Sequence, residues 1–398
     1  MDSMENFRIG FLQILVPSYK LPMFQCVAAL AGIDLTLFAG DRGPAILAKG
    51  SPVNGLKHIP LQNKLFQFGP FSIIWQKGLQ RLLKPEEYDL VLLPEGVLYL
   101  SNYMVMLRCL IRRVPFGFYG HGFNHQRRGS LLSCPLEALR KMVHRLASIM
   151  VVYSDEGARH LIDNRHIAPE RVFVATNTMD TQSIAERVAA LTPEDIQVCR
   201  QSLKVSSGGV LLAYIGRIEP IKNPGWVLEA VRQLREKGLP VNAVFVGTGS
   251  LLPMLKEQIA KWSSPLAEAV TFVGNLPVDQ VDRYLASSDI CVMPGMTGLA
   301  VVHAFAAGKP YVTIESPHHS PEIAYLRDGE NGFIAKPSQD EFINILHRLV
   351  QEPELRCRLG ECGLRDALSE LSMAAQVQGF RHAFDYLKNQ TNSAGADP

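Results

Sequence analysis

Cysteine is sparse in this chain of 398 residues: seven, an odd number, scattered at Cys26, Cys109, Cys134, Cys199, Cys291, Cys357 and Cys362, with no C-x-x-C pair. That excludes a disulfide framework or a zinc ribbon and points to a reducing compartment. No apolar run reaches about 18 residues, so no transmembrane helix is expected. The first stretch, MDSMENFRIGFLQILVP, opens on acidic residues and lacks a basic n-region and a small-residue cleavage site, so no signal peptide is expected either. Charge is nearly balanced, at a formal +2, which argues against bulk affinity for nucleic acid.

What is present describes a folded α/β protein. Hydrophobic residues make up 47% and charged residues 20%, a globular balance, and the length is too great for one ordinary core. Short aliphatic runs closed by glycine or proline recur: FRIGFLQILVP, IDLTLFAG, YDLVLLPEG, VPFGFYGHG and ASIMVVYS, the last ending at Ser154, a candidate N-cap. A polar break follows from about 180 to 207. Then the alternation restarts with VLLAYIGRIEP, the helix pattern NPGWVLEAVRQLREKG, and the strands VNAVFVGTG, AVTFVGNL, DICVMPG and KPYVTIE. Strands alternating with helices predict parallel sheets covered on both faces, and the repetition predicts two Rossmann-like domains. Ligands in such sheets bind beyond the carboxyl ends of the strands, so the residues after each strand carry the interest.

Four such strand ends stand out in the second half. In YIGRIEPIKNPG, Arg217 and Lys222 follow Gly216 on one loop, two cations suited to a diphosphate or simply solvated. In FVGTGS, Gly247 and Gly249 permit close backbone approach or form a plain tight turn. In FVGNLP, Asn275 and Leu276 could meet a nucleobase, or again only turn the chain. In PGMTGLAVVHAFAAGKP, the amides of Gly298, Leu299 and Ala300 open a helix whose positive end attracts phosphate, with His303 about one and a half turns in.

The order and spacing of GRIEPIKNPG, VGTGS, VGNLP, MPGMTGLAVVHAFAAGKPYVT and PEIAYLRDGENGF resemble the C-terminal domain of the retaining GT-B glycosyltransferases, family four, most strongly from about Val210 to Lys336. The resemblance implies an α/β GT-B architecture of two Rossmann-like doubly wound domains facing across a cleft. The first, 1–178, would bind acceptor; the second, 208–371, nucleotide sugar; and a last helix near 372–390 would pack back on the first. It implies that Arg217 and Lys222 hold the donor diphosphate and that His121, in YGHGFN, reaches the donor sugar when the domains close; a structural turn histidine is the alternative. It implies no cofactor and no metal at the reacting phosphate, in keeping with the absence of a D-x-D. The activity implied is a hexosyl transfer, with retention, from a UDP- or GDP-type donor to a glycan or lipid-linked acceptor, as in cell-surface polysaccharide synthesis. A catalytically weak or inactive nucleotide-sugar-binding protein and a GT-B epimerase are the alternatives.

One departure marks the family pattern. Its two glutamates, eight apart, fall on Gly295 and His303. His303 could replace the ribose-binding acid through a ring nitrogen, or be a buried core residue; Glu322, in HHSPEIAYL, could supply an acid to the donor, or balance a helix dipole. On the acceptor side, Tyr19 and Lys20 lie in the first strand-to-helix loop, and Glu95 stands at a strand end where it would hold an acceptor hydroxyl or cap a turn. Residues 101–145 carry Arg108, Arg112, Arg113, Arg127, Arg128, Arg140, Lys141 and Arg145 against the single acid Glu137, a segment at +7 in a chain whose remainder is near −5. Interleaved with apolar residues, this suits peripheral association of a cytoplasmic protein with an anionic membrane, or a single solvated face. No stacking aromatics suggest nucleic acid.

Overall fold

The structure, a computed structural model, describes residues 6–43, 52–68, 71–122 and 133–394. It divides into two compact units, one formed by Met1–Asn177 with Ala374–Pro398, the other by Thr178–Met373.

The first unit is built on an eight-stranded sheet of β1 (Phe7–Gln13), β2 (Ile33–Gly40), β3 (Lys57–Phe68), β4 (Phe71–Lys77), β5 (Leu90–Pro94), β6 (Phe116–Gly120), β7 (Ile149–Val152) and β8 (Val172–Val174). The spatial order is β4-β3-β2-β1-β5-β6-β7-β8, so the winding direction reverses between β1 and β5. Every pairing is parallel except the β3–β4 hairpin at one edge. The central strands are aliphatic throughout because helices cover both faces: β5 and β7 are buried at every position. Ser154 caps the next helix, its hydroxyl accepting from the Gly157 amide at 3.2 Å.

The second unit carries a six-stranded, fully parallel sheet: β9 (Val210–Ile215), β10 (Val241–Val246), β11 (Val270–Gly274), β12 (Ile290–Met293), β13 (Tyr311–Ile314) and β14 (Gly332–Ala335), in the order β11-β10-β9-β12-β13-β14. This is the dinucleotide-fold order, with its reversal between β9 and β12. The helix Gly225–Glu236 starts at Pro224 and is followed by Gly238 at φ 82°, the proline-first, glycine-last asymmetry of the sequence.

Two features differ from the sequence reading. The polar stretch 180–207 is no linker: it forms the helices Thr181–Ala189, begun by the Asp180 carboxylate, and Pro193–Ser202, begun by a Thr192–Asp195 capping box, and both belong to the second unit. The β3–β4 hairpin and the short strands β8 and β14 were not read as strands. The last helix, Met373–Ala394, belongs to the first unit, where Phe380 meets Phe11 and Tyr119 with ring centroids 6.0 and 5.0 Å apart. Among the described residues no helix is long and apolar enough to cross a membrane.

Candidate functional site

In the second unit the loops leaving β9 and β12 diverge at the reversal point, where such sheets open a crevice. The β9 loop begins at Gly216, φ 147°, and closes with a 3-10 turn, Pro220–Lys222, followed by Asn223 in the left-handed region. It is bonded to its neighbours on both sides. On one side the Gly216 amide donates to the Val246 carbonyl at 2.9 Å and the Ile218 amide to Thr248 at 2.9 Å. Glu219 reinforces this by accepting from the hydroxyl and amide of Ser250. On the other side the Met296 amide donates to Ile221 at 2.9 Å and the Asn223 amide group to Pro294 at 2.8 Å.

This packing explains the glycines differently from the sequence reading. A Cβ on Gly247 would lie 2.0 Å from the Gly216 carbonyl oxygen, and one on Gly249 would lie 2.3 Å from that of Ile218. These residues are glycine because loop meets loop. The same holds at the first missing glutamate: a Cβ on Gly295 would stand 2.6 Å from both the Ile221 carbonyl oxygen and the Lys222 Cα. No side chain fits there without moving the β9 loop.

Lys222 is only 8% exposed, its Nζ donating to the Met296 carbonyl at 2.8 Å with the Met293 sulfur at 3.9 Å. Burial, and then the nearby Arg217 charge, pull its pKa from the ordinary lysine value down to about 8. Arg217 is exposed and, among the described residues, its guanidinium makes no ion pair. The two predicted cations are therefore close enough to repel, one at the surface and one beneath it.

The helix Ala300–Ala306 begins beside them. Among the described residues the amides of Gly298, Leu299 and Ala300 donate to no backbone carbonyl, while the Val301 and His303 amides donate to Gly298 and Leu299. The entry to the helix is held from below. The Thr297 amide donates to His319 Nδ1 at 3.1 Å, His319 Nε2 lies 2.7 Å from the Ile314 carbonyl, and the hydroxyls of Thr297 and Tyr311 are bonded. Glu322 is 3% exposed at the start of the segment Pro321–Tyr325; a Cβ on Gly298 would lie 3.4 Å from Ser320 Oγ and 3.8 Å from Glu322 Oε2. Asn275 is exposed and Leu276 half-buried beyond Gly274, whose carbonyl accepts from the Gly247 amide at 2.7 Å.

His303 does not stand where a ribose hydroxyl could claim Nε2. The ring is buried and Nε2 lies 2.8 Å from Asp282 Oδ1, on the helix Val278–Ser287. Asp282 also accepts from Arg187 Nε at 2.6 Å, on the helix Thr181–Ala189. The buried-histidine alternative holds, with a carboxylate as its partner. The sequence reading missed Asp282 and Arg187 because one partner lies in the stretch taken as a linker.

In the first unit the reversal point lies between the loops after β1 and β5. Lys20 donates to the Tyr153 hydroxyl at 3.1 Å, with its Nζ 4.6 Å from that ring's centroid; Tyr19 beside it is half-buried. His121 is exposed just past β6, its ring edge-on to Tyr153 with centroids 4.6 Å apart. Glu95 is not an open acceptor-binding carboxylate. Its side chain is 9% exposed, Oε2 accepting from the Gly122 amide at 2.6 Å and Oε1 lying 3.2 Å from His144 Nε2. Burial opposes its charge, but the bonds from His144 and Gly122, with the charge of His121, hold the carboxyl below its usual range. Phe123 and Asn124 lie outside the described residues.

Among the described residues of the basic segment, some cations are engaged within the fold. Arg140 is buried and paired with Glu137, which Arg165 also engages, and Arg112 lies 3.9 Å from Glu86. Arg108, Arg113 and Arg145 are exposed, as are the apolar Leu107, Leu110, Ile111, Met142 and Leu146 around them. Arg127 and Arg128 lie outside the described residues. Among the described residues no cluster of three or more His, Cys, Asp or Glu side chains could hold a metal ion.

Known proteins with this pattern agree on its family. Residues 26–183 match the family described as Glycosyltransferase Family 4, and residues 209–352 the family described as Glycosyl transferases group 1. D-inositol 3-phosphate glycosyltransferase of Thermobifida fusca (strain YX) is 26% identical over 251 residues, covering 60% of this chain and 55% of that protein. The protein of the same description from Nocardia farcinica (strain IFM 10152) is 24% identical over 342 residues, covering 82% and 72%. The chain spans less than two thirds of the length of most of the curated relatives it matches. Among solved structures, Anabaena Alr3699/HepE in complex with UDP superposes with a TM-score of 0.71 at 17% identity, covering 95% of this chain and 99% of that one. The same Anabaena protein has been solved with UDP-glucose. Two parallel-sheet units, each with its reversal point, and family matches over both halves lead to one conclusion: the chain belongs to the GT-B glycosyltransferases, with a family four N-terminal region and a group 1 C-terminal region.

Proposed function

We propose that this protein moves a hexosyl unit, with retention, from a nucleotide diphosphate sugar of the UDP or GDP type to a glycan or lipid-linked acceptor, as in the building of cell-surface polysaccharide. The observation that carries the reading is the buried Lys222 beside the exposed Arg217 at the reversal point of the second sheet. A buried ammonium left with a carbonyl and a thioether for company is poorly compensated, and a diphosphate is the kind of partner that compensates it. The Anabaena structures with UDP and UDP-glucose support a nucleotide-sugar donor.

In this reading Arg217 and Lys222 neutralise the charge that develops on the leaving diphosphate, with the amides of Gly298, Leu299 and Ala300 adding donors and no divalent ion taking part. The leaving phosphate oxygen takes the acceptor proton on the same face of the sugar, so the two flanking carboxylates of a glycosidase are not needed. We assign Asn275 and Leu276 to the base, Glu322 to the donor sugar in place of the missing motif acid, and His121 to the donor sugar from the first unit. Tyr19 and Lys20 are assigned to the acceptor. The exposed Arg108, Arg113 and Arg145 among apolar side chains favour an anionic membrane surface.

The test is a thermal-shift panel of UDP-, GDP- and ADP-sugars, followed by nucleotide release with the donor that binds. Binding should raise the melting temperature of the wild type and fail to do so in Arg217→Ala. A shift that survives that substitution removes the phosphate assignment. Binding without any nucleotide release, with or without acceptor, would favour the non-catalytic alternative.

A further inference from the structure

We propose that Glu95 and His144 form a positioning pair that fixes the imidazole of His121; this rests on the assignment of His121 to the donor sugar. The exposed ring stands just past β6, where the backbone of residues 120–122 is held on several sides. The Glu95 amide donates to the Tyr119 carbonyl at 3.0 Å, two residues before the ring, and its carboxylate accepts from the Gly122 amide at 2.6 Å, one residue after it. One residue thus brackets His121. The Tyr153 amide donates to the Gly120 carbonyl at 3.0 Å, and the Tyr153 ring receives the imidazole edge-on.

Residues 120–122 are closely packed. A Cβ on Gly120 would come within 2.4 Å of the Glu95 Cβ, and one on Gly157 within 2.5 Å of the His121 carbonyl oxygen; Gly122 holds φ at 77° with Gly157 and Val152 beneath it. The carboxylate itself is set by His144, which is 1% exposed, packs its ring 5.8 Å from that of Phe118, and lies 3.2 Å from Glu95 Oε1. A largely covered acid with one oxygen on an imidazole and the other on a main-chain amide is an arrangement for holding a backbone still. With both Glu95 oxygens engaged by His144 and the Gly122 amide, the pair acts through His121.

The test compares Glu95→Gln, His121→Ala and the double variant of the full chain. Nucleotide release is measured with whichever UDP- or GDP-sugar the wild type turns over fastest. A misplaced group costs rate more than ground-state binding, so Glu95→Gln should lower kcat roughly 10–100-fold with donor KM changed less than about twofold. The double variant should be no slower than His121→Ala alone, because the pair has nothing left to position. Losses that multiply in the double variant would overturn the proposal. Full activity of His121→Ala would instead overturn the assignment of His121. His144→Asn, which leaves the Gly122 bond, should show the same kcat loss in smaller measure. Histidine ring resonances give a readout free of turnover: those of His121 should shift and broaden in Glu95→Gln, and an unchanged spectrum would also defeat the proposal.

Discussion

Lys222 shows how one side chain ties stability to binding. A fall from the ordinary 10.5 to about 8 means that the protein bears a cost of about 3 kcal/mol to keep this ammonium charged near neutral pH. The unfolded chain holds the proton up to its ordinary value, whereas the folded one releases it near 8. The unfolded state therefore binds more protons between those limits, and stability of the free protein should rise as pH increases across them. Donor affinity should move the opposite way, weakening above pH 8 as the cation is lost. Calorimetric titration with UDP or GDP at several pH values, beside melting curves of the free protein, checks both signs at once. Gly295 makes a second residue-scale prediction. Restoring the family acid as Gly295→Glu should not improve activity; it should destabilise by about 1–3 kcal/mol, read as a lower denaturation midpoint, because the β9 loop occupies the space. The sequence exposed these cations well, since charge next to a strand-ending glycine is visible in the letters. It could not tell a glycine that admits a ligand from one that admits another loop, because that depends on what folds beside it.

Among the elements, the helix Thr181–Ala189 carries the largest correction. Its composition is polar, so it reads as a connection, yet it delivers Arg187 to Asp282 and through it to His303. A lone imidazole on an apolar helix invites a ligand only while its neighbours are unknown. Asp282→Ala should leave a buried ring and a guanidinium unpaired and cost about 3 kcal/mol in urea unfolding, with the preference among UDP-, GDP- and ADP-sugars unchanged. A changed base preference with unchanged stability would return His303 to the nucleotide. The strands were legible in proportion to their burial. Central parallel strands read as unbroken aliphatic runs, whereas β3 and β4 pair antiparallel at an edge, where the signal is weak, and β14 is only four residues long.

At the scale of the whole molecule, composition does not say which cations of the basic segment face outward. Arg140 is spent inside the fold, and Arg112 is near an acid. Among the described residues Arg108, Arg113 and Arg145 are exposed, and each could contribute on the order of 1 kcal/mol at an anionic surface. The protein should co-sediment with vesicles containing phosphatidylserine and lose that binding as salt is raised. Changing the three arginines to serine should weaken it more than changing Lys256, Lys261 and Lys336 of the second unit. Equal loss from both triples would mean that only net charge matters.

The helix Met373–Ala394 has a consequence for biosynthesis. Gly379 lies so close to β8 that a Cβ would sit 2.0 Å from the Val174 carbonyl oxygen, and Gln376 donates to the Tyr119 hydroxyl at 3.2 Å. The first unit thus lacks part of its interior until Met373–Ala394 has been made. The unit that starts first completes last, and a released chain truncated after Met373 should be cut by protease between β1 and β8 while Thr178–Met373 resists.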